Sequence, residues 1–161
     1  MIEIKEIHKI PEMSKIIDGL FRRYPFLYER AFCASFNPYN IYSLRRLNTR
    51  ITTALLFVPD LTTYLIRNAK QTPKPLPIYF VNNSILRWMI DSLFMWFGSP
   101  AGLKFLGVNL ACIEQKQVSQ NFLDQYQKLN IVVFAWCVNE TEQRRWLKAN
   151  QVSIITDTLF Q

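Results

Sequence analysis

Ile2 and Ile4 alternate with Glu3 and Lys5 at the start of the chain, the period-two spacing of a β-strand with two unlike faces. The pattern then lengthens. Met13, Ile16, Ile17, Leu20 and Phe21 recur at helical spacing, which predicts a helix over about 11–24, with Pro11 in its first turn and Pro25 beyond its end. FCASF (32–36) reads as a short buried strand ended by Asn37-Pro38, YNIYSLRRL (39–47) as an amphipathic helix, and ITTALLFV (51–58) as a β-branched, apolar strand closed by Pro59. Towards the end, 119–129 looks helical, IVVFAWCV (131–138) is a near-continuous apolar strand, TEQRRWLKAN (141–150) is a helix and VSIITD (152–157) a last strand. Strands apolar throughout and separated by helices indicate a parallel sheet covered by helices. The fold class is α/β, with five strand candidates.

One connection is far longer than a simple crossover, running from Pro59 to Asn130. It holds TPKPLP (72–77), whose alternating prolines favour an extended segment, and then 85–113, the most apolar tract of the chain. Asp91, Lys104 and the Gly98-Ser99-Pro100 break argue against one membrane-spanning helix. Trp88, Phe94, Trp96 and Phe97, flanked by Arg87 and Lys104, suit a helix lying in a membrane interface; an inserted helical pair packed on the domain fits them as well. The segment 60–113 is thus read as an insertion in a domain that covers 1–161.

Composition narrows the picture. Half of the 161 residues are hydrophobic and 14% aromatic, enough for one domain with a substantial core. A net charge of +7 permits an acidic partner, but Arg22/Arg23, Arg45/Arg46 and Arg144/Arg145 lie on separate segments that read as solvated helix faces. Without a recognition motif or a basic stripe with aromatics, nucleic acid is not a partner. Cys33, Cys112 and Cys137 have no metal-site spacing; Cys33 and Cys137 read as small buried hydrophobes. No secretory signal precedes Met1, which points to a cytoplasmic chain if the sequence is complete at that end.

The chemistry lies in the strand ends. If Ile2 and Ile4 face the helices, Glu3 and Lys5 face the hollow of a parallel barrel, at the end where active sites form. IEIK, CASFN, FAWCVN and SIITD, in that order, resemble the glycerophosphodiester phosphodiesterase family over its C-terminal part, from Glu3 to Asp157, and more specifically its membrane-associated eukaryotic branch. The resemblance implies an incomplete TIM (β/α)8 barrel, about the last five strands, with a long apolar helical insertion. It implies metal-assisted hydrolysis of glycerophosphodiesters or lysophospholipids, with Glu3 a ligand of Ca²⁺ or Mg²⁺ and Lys5 on the phosphate oxygens as charge develops. Trp136 and Phe36 would wall the substrate pocket, while Asp157 and Asn139 would have structural roles.

The departures from that pattern are as informative. The family's His-Arg motif, its second catalytic histidine and its Glu-x-Asp pair have no counterpart; His8, the single histidine, matches neither position and reads as a loop residue. The resemblance therefore implies a chain that starts at the barrel's fourth strand and lacks the catalytic histidines. Hydrolysis by this chain alone should fail, and an open five-strand sheet should expose its edges and one apolar face. Such a chain would be marginally stable, aggregate or need a partner, either the missing barrel half or a second copy. Membrane association, peripheral or through regions outside this chain, is the expected location.

Overall fold

A computed structural model describes residues 1–69, 83–108 and 110–156. Its centre is a six-stranded, all-parallel sheet whose spatial order follows the chain: β1 (Ile2–Glu3), β2 (Cys33–Ser35), β3 (Thr53–Phe57), β4 (Leu110–Glu114), β5 (Val132–Trp136) and β6 (Ser153–Ile155). Helices α1 (Ile10–Arg23), α2 (Leu27–Arg30) and α3 (Pro38–Leu47) accompany the first strands. Helices α4 (Leu61–Ala69), α5 (Ser84–Gly98) and α6 (Pro100–Leu106) lie between β3 and β4, and α7 (Gln120–Gln127) and α8 (Thr141–Ala149) follow β4 and β5. The predicted α/β class and its strand order hold, with one strand more than the hydrophobic pattern suggested.

Local chemistry sets these boundaries. Asn37 caps α3 by accepting the Tyr39 N–H at 3.0 Å, and Pro38 occupies the first turn, where a missing N–H costs nothing. The tract read as helical through residue 113 stops at Leu106. Gly107 adopts φ 70°, the Val108 N–H reaches back to the Leu103 carbonyl, and the Gly107 N–H donates to Lys104. That glycine-terminated cap turns the chain out of the helix, so Leu110–Glu114 enters the sheet between β3 and β5. A short apolar run serves a buried helix or a buried strand equally well, and here the glycine decides.

The sheet's two faces bury different things. Register places Ile4, Leu55, Ile113 and Ala135 on the convex side, packed under the helices with Ile17, Phe21, Leu103 and Leu147. The concave side carries Ala34, Ala54, Leu56, Leu110 and Cys112, overlaid by Phe32, Phe36, Phe134, Trp136 and Ile155. The sheet is strongly curled. The rings of Phe32 and Phe134 are 5.2 Å apart although two strands separate theirs, where a flat sheet would hold them about 14 Å apart. Alanines at 34 and 54 leave the space that these rings fill. The aromatic layer covers Ala34, Ala54, Leu56 and Cys112, while its own rings, Phe32, Phe36, Phe134 and Trp136, are half-buried.

Two cysteine readings separate. Cys33 and Cys112 are buried, and burial pushes each thiol up to about 12. Cys137, read as a buried hydrophobe, is exposed with φ 59°, because β5 ends at Trp136 and the chain turns there. Arg144, read as part of a solvated face, instead donates to the Val138 carbonyl and to Thr156 Oγ1, each at 3.0 Å. Thr156 in turn donates to Asn139, so this network ties the ends of β5 and β6 and gives Asn139 a structural role. Asp157 and the 72–77 segment lie outside the described residues.

Candidate active site

Parallel strands place their C-terminal ends on one rim, and alternation decides which side chains look inward there. Glu3 aligns with Ala34, Ala34 with Ala54, and Ala54 with Leu110, all on the concave face. Two residues further on, Leu56 aligns with Cys112 and Cys112 with Phe134; after two more, Glu114 aligns with Trp136. Glu3, Phe36, Glu114 and Trp136 thus share one side of one sheet. Lys5, two residues after Glu3, is on the same side, its Nζ 3.5 Å from Glu3 Oε2. The lysine side chain is 79% exposed, so the pair contributes little stability and leaves the ammonium accessible to another anion.

The chain beyond Glu3 is held by a compact polar network. Ser35 Oγ donates to the Ile4 carbonyl at 2.7 Å and accepts from the Asn37 N–H and from Asn40 Nδ2. Asn40 also donates to the Glu6 carbonyl at 2.9 Å. The serine hydroxyl uses its donor and both lone pairs, which explains why this residue type sits at the buried end of β2. Glu6 Oε1 accepts the N–H groups of Ile7, His8 and Lys9 at 2.7–3.0 Å. Those bonds, the one from His8 first, hold its carboxyl below the usual range. Glu6 therefore shapes the loop after β1, and His8 lies exposed in that loop.

Three rings form the opposite wall. Phe36 lies 5.6 Å from Tyr64 in a near-parallel arrangement, and Trp136 stands at 90° to Phe36 and 78° to Tyr64, with centroids 5.9 and 6.2 Å away. The Trp136 Nε1–H donates to the Cys112 carbonyl at 3.2 Å, which anchors the indole and spends its one donor on the strand below. Tyr64 comes from α4, which α5 holds: Asp91 accepts the Thr62 N–H at 2.8 Å and the Thr62 hydroxyl at 2.6 Å, and Arg87 donates to Thr63 Oγ1 at 3.0 Å. Burial raises the Tyr64 hydroxyl above its ordinary value, and the Cys137 thiol once ionised, with the Glu3 and Glu114 carboxylates, adds to the shift. The phenol stays protonated at neutral pH.

Structure thus brings Glu3, Lys5, Phe36 and Trp136 onto one face and adds two residues that sequence reasoning missed. Glu114 was hidden because its strand was read as helix; the Gly107-Val108 step was the available signal. Tyr64 carries no sequence signal, since its place depends on how a long connection folds back.

Among the described residues no three or more histidine, cysteine, aspartate or glutamate side chains are grouped to hold a metal. Ca²⁺ takes six to eight oxygens, and Mg²⁺ takes one or two carboxylates with several waters. Glu3 and Glu114 fall short of a closed calcium cage.

Fold and rim together define a curled parallel (β/α) half-barrel with a polar and aromatic mouth. No family model matches the sequence. Glycerophosphodiester phosphodiesterase 1 of Rattus norvegicus is 23% identical over 149 residues, covering 92% of this chain and 43% of that protein, and the Mus musculus protein of the same name gives the same figures. The chain spans less than half the length of the curated relatives it matches. A glycerophosphodiester phosphodiesterase from Parabacteroides distasonis has the same fold, with a TM-score of 0.59 at 17% identity over 96% of this chain and 50% of that one. A candidate enzyme of this name from Galdieria sulphuraria superposes with a TM-score of 0.61 at 15% identity, over 96% and 51% of the two chains. The resemblance to glycerophosphodiester phosphodiesterases is therefore present in sequence and in fold alike.

Proposed function

We propose that this chain supplies one wall of a glycerophosphodiester-hydrolysing site and takes a glycerophosphodiester or lysophospholipid against its concave rim. The observation that carries the reading is the strand register, which aligns Glu3, Phe36, Glu114 and Trp136 on a single inward face with Lys5 beside them. Lys5 meets the phosphate oxygens, where its ammonium offsets the charge that develops in the transition state. Glu3 offers a carboxylate to a divalent cation, Ca²⁺ or Mg²⁺, whose remaining oxygens come from elsewhere. Trp136 and Phe36 pack against the carbon skeleton of the substrate. Turnover requires an acid and a base that these residues do not provide, so the chain depends on a histidine-bearing partner segment.

The test is complementation. Co-expression with the N-terminal half of the rat relative should give hydrolysis that neither piece shows alone. Glu3→Gln or Lys5→Met should then reduce it by about 100-fold, the loss typical of removing one charge-stabilising group. Complementation that is indifferent to both substitutions would overturn the reading.

A second reading, attachment to a membrane surface, is favoured by one observation. The outer face of α5 presents Ile85, Trp88, Met89, Leu93, Met95 and Trp96 to solvent, an arrangement suited to an interfacial helix. No described helix is long and apolar enough to cross a membrane. Flotation with anionic vesicles should carry the chain upward, and Trp88→Ser with Trp96→Ser should abolish this; no lipid dependence would remove it.

A further inference from the structure

The end of the sheet opposite the rim gathers positive charge that the sequence scatters. Arg22 and Arg23 close α1, Arg30 closes α2, Arg45 and Arg46 close α3, and Arg50 follows in the turn before β3. These segments lead into the N-terminal ends of β2 and β3, so the arginines lie at the far end of the strands that form the rim. α1 and α3 run side by side in the same direction: Ser14 Oγ donates to Ser43 Oγ at 3.0 Å, and a turn further on Asn48 Nδ2 donates to Asp18 Oδ1 at 2.6 Å. Their last turns are therefore neighbours. Asn48 Nδ2 also donates to the Tyr28 hydroxyl at 3.0 Å, and the Arg50 guanidinium stands 4.4 Å over the Tyr28 ring, which draws α2 and the 48–50 turn into the same group. Arginine pairs that read as separate solvated faces thus form one surface.

Cations in a last turn suit the helix dipole, but that does not account for Arg50 or for what stands between the arginines. Residues 16–50 hold six arginines, no lysine and two carboxylates. Asp18 is buried with both oxygens taken, by Arg22 at 2.8 Å and by Asn48, so Glu29 is the one exposed acid of this stretch. Leu20, Tyr24, Phe26 and Leu47 are exposed among the arginines. Arginine with exposed aromatic side chains, and no lysine, is the composition of a protein-binding surface rather than of a face kept merely soluble. A nucleic acid would stack bases on free aromatic planes, yet Arg23 lies 5.5 Å over Tyr24 as Arg50 does over Tyr28. We propose that this end of the sheet docks an acidic segment of a partner protein, whose carboxylates pair with Arg23, Arg46 and Arg50 and whose apolar side chains pack on Phe26 and Leu47. The planar guanidinium takes a carboxylate through two N–H donors, so the surface selects carboxylate geometry as well as charge. None of these residues belongs to the rim, which stays open when the partner is bound.

The experiment is fluorescence anisotropy of labelled probes titrated with the full chain at low salt. The probes are a peptide of repeated Glu-Asp-Leu-Phe units, a peptide of Glu and Asp alone, and a single-stranded uridine oligonucleotide; flotation on phosphatidylserine vesicles runs beside them. The mixed peptide should bind about tenfold more tightly than the all-acidic one. Arg23→Glu with Arg46→Glu should weaken it by about 100-fold, and Arg23→Lys with Arg46→Lys, which keep the charge and lose the fork, by about tenfold. Phe26→Ser, a single exposed substitution, should also cost about tenfold and serves as the test if the charge-reversed pair fails to fold. Equal affinity for the two peptides, unchanged affinity in the lysine pair or in Phe26→Ser, or tighter binding of the oligonucleotide overturns the inference. So does flotation that is lost with Arg23→Glu and Arg46→Glu, which would assign this surface to a membrane.

Discussion

Helices α1 and α5 have nearly equal lengths, 14 and 15 residues, yet they are built in opposite senses. α1 turns Ile10, Ile17 and Phe21 to the core and sends Glu12, Lys15, Arg22 and Arg23 outward. Its one buried acid, Asp18, is held by Arg22 at 2.8 Å and Asn48 at 2.6 Å. α5 points its charged residues inward, Asp91 and Arg87 towards α4, and leaves six large apolar side chains in solvent, Ile85 at 71% and Trp88 at 70% exposure. The comparison shows that an apolar stripe does not by itself mark a core face. In α1 it generates the burial that stabilises the fold. In α5 the polar residues position the neighbouring helix, and the apolar ones stay exposed.

Substitutions on the two helices should separate these roles. Phe21→Ala removes a fully buried ring packed edge-on against Tyr28, and should lower stability by about 3–5 kcal/mol in urea unfolding. Asp91→Ala strips two hydrogen bonds from the first turn of α4. It should cost about 2 kcal/mol and should displace Tyr64, seen as a shift of the Trp136 indole resonance. Trp88→Ser should change stability by no more than about 0.5 kcal/mol, because the side chain is mostly in solvent already. A large loss at Trp88 would mean that the outer face of α5 is a core face after all.

Alkaline pH tests both halves together. Cys33, in the core beneath α1, has its thiol pushed up by burial from 9.0 to about 12. Tyr126, whose hydroxyl donates to the Gly98 carbonyl at the end of α5, is pushed by burial from 10.0 to about 12. In each case the unfolded state releases its proton first, so the folded state binds more protons over that interval. Stability should be undiminished below about pH 9 and should fall progressively up to about pH 12. Cys112 carries the same shift, so Cys33→Ala should remove part of the earlier decline and Cys33→Ala with Cys112→Ala most of it, measured as the urea midpoint against pH.

Much of the fold was legible in the sequence because buried parallel strands are apolar throughout and proline and asparagine punctuate their ends. Ile2 and Ile4 against Glu3 and Lys5 foretold which side of β1 faces inward, since alternation survives whatever surrounds the strand. β4 was not legible for the opposite reason. Leu110 to Ile113 lacks alternation, follows two apolar helices, and is distinguished from them only by the αL glycine before it. Glu114 was lost with its strand. The curl that brings Phe32 and Phe134 together across two intervening strands was also beyond sequence reading, because it depends on tertiary packing that no local pattern encodes. Tyr64 reaches the rim through a tertiary cap, Asp91 on Thr62, with a separation of 29 residues that no local pattern encodes.

The most direct test of the central claim is an amide and indole chemical-shift map of the folded chain as a glycerophosphodiester is added. The Trp136 indole and the backbone amides of Glu3, Lys5 and Glu114 should shift together on one binding curve, while the Trp88 indole stays still. Shifts confined to the outer face of α5, or separate curves for Glu3 and Trp136, would contradict it.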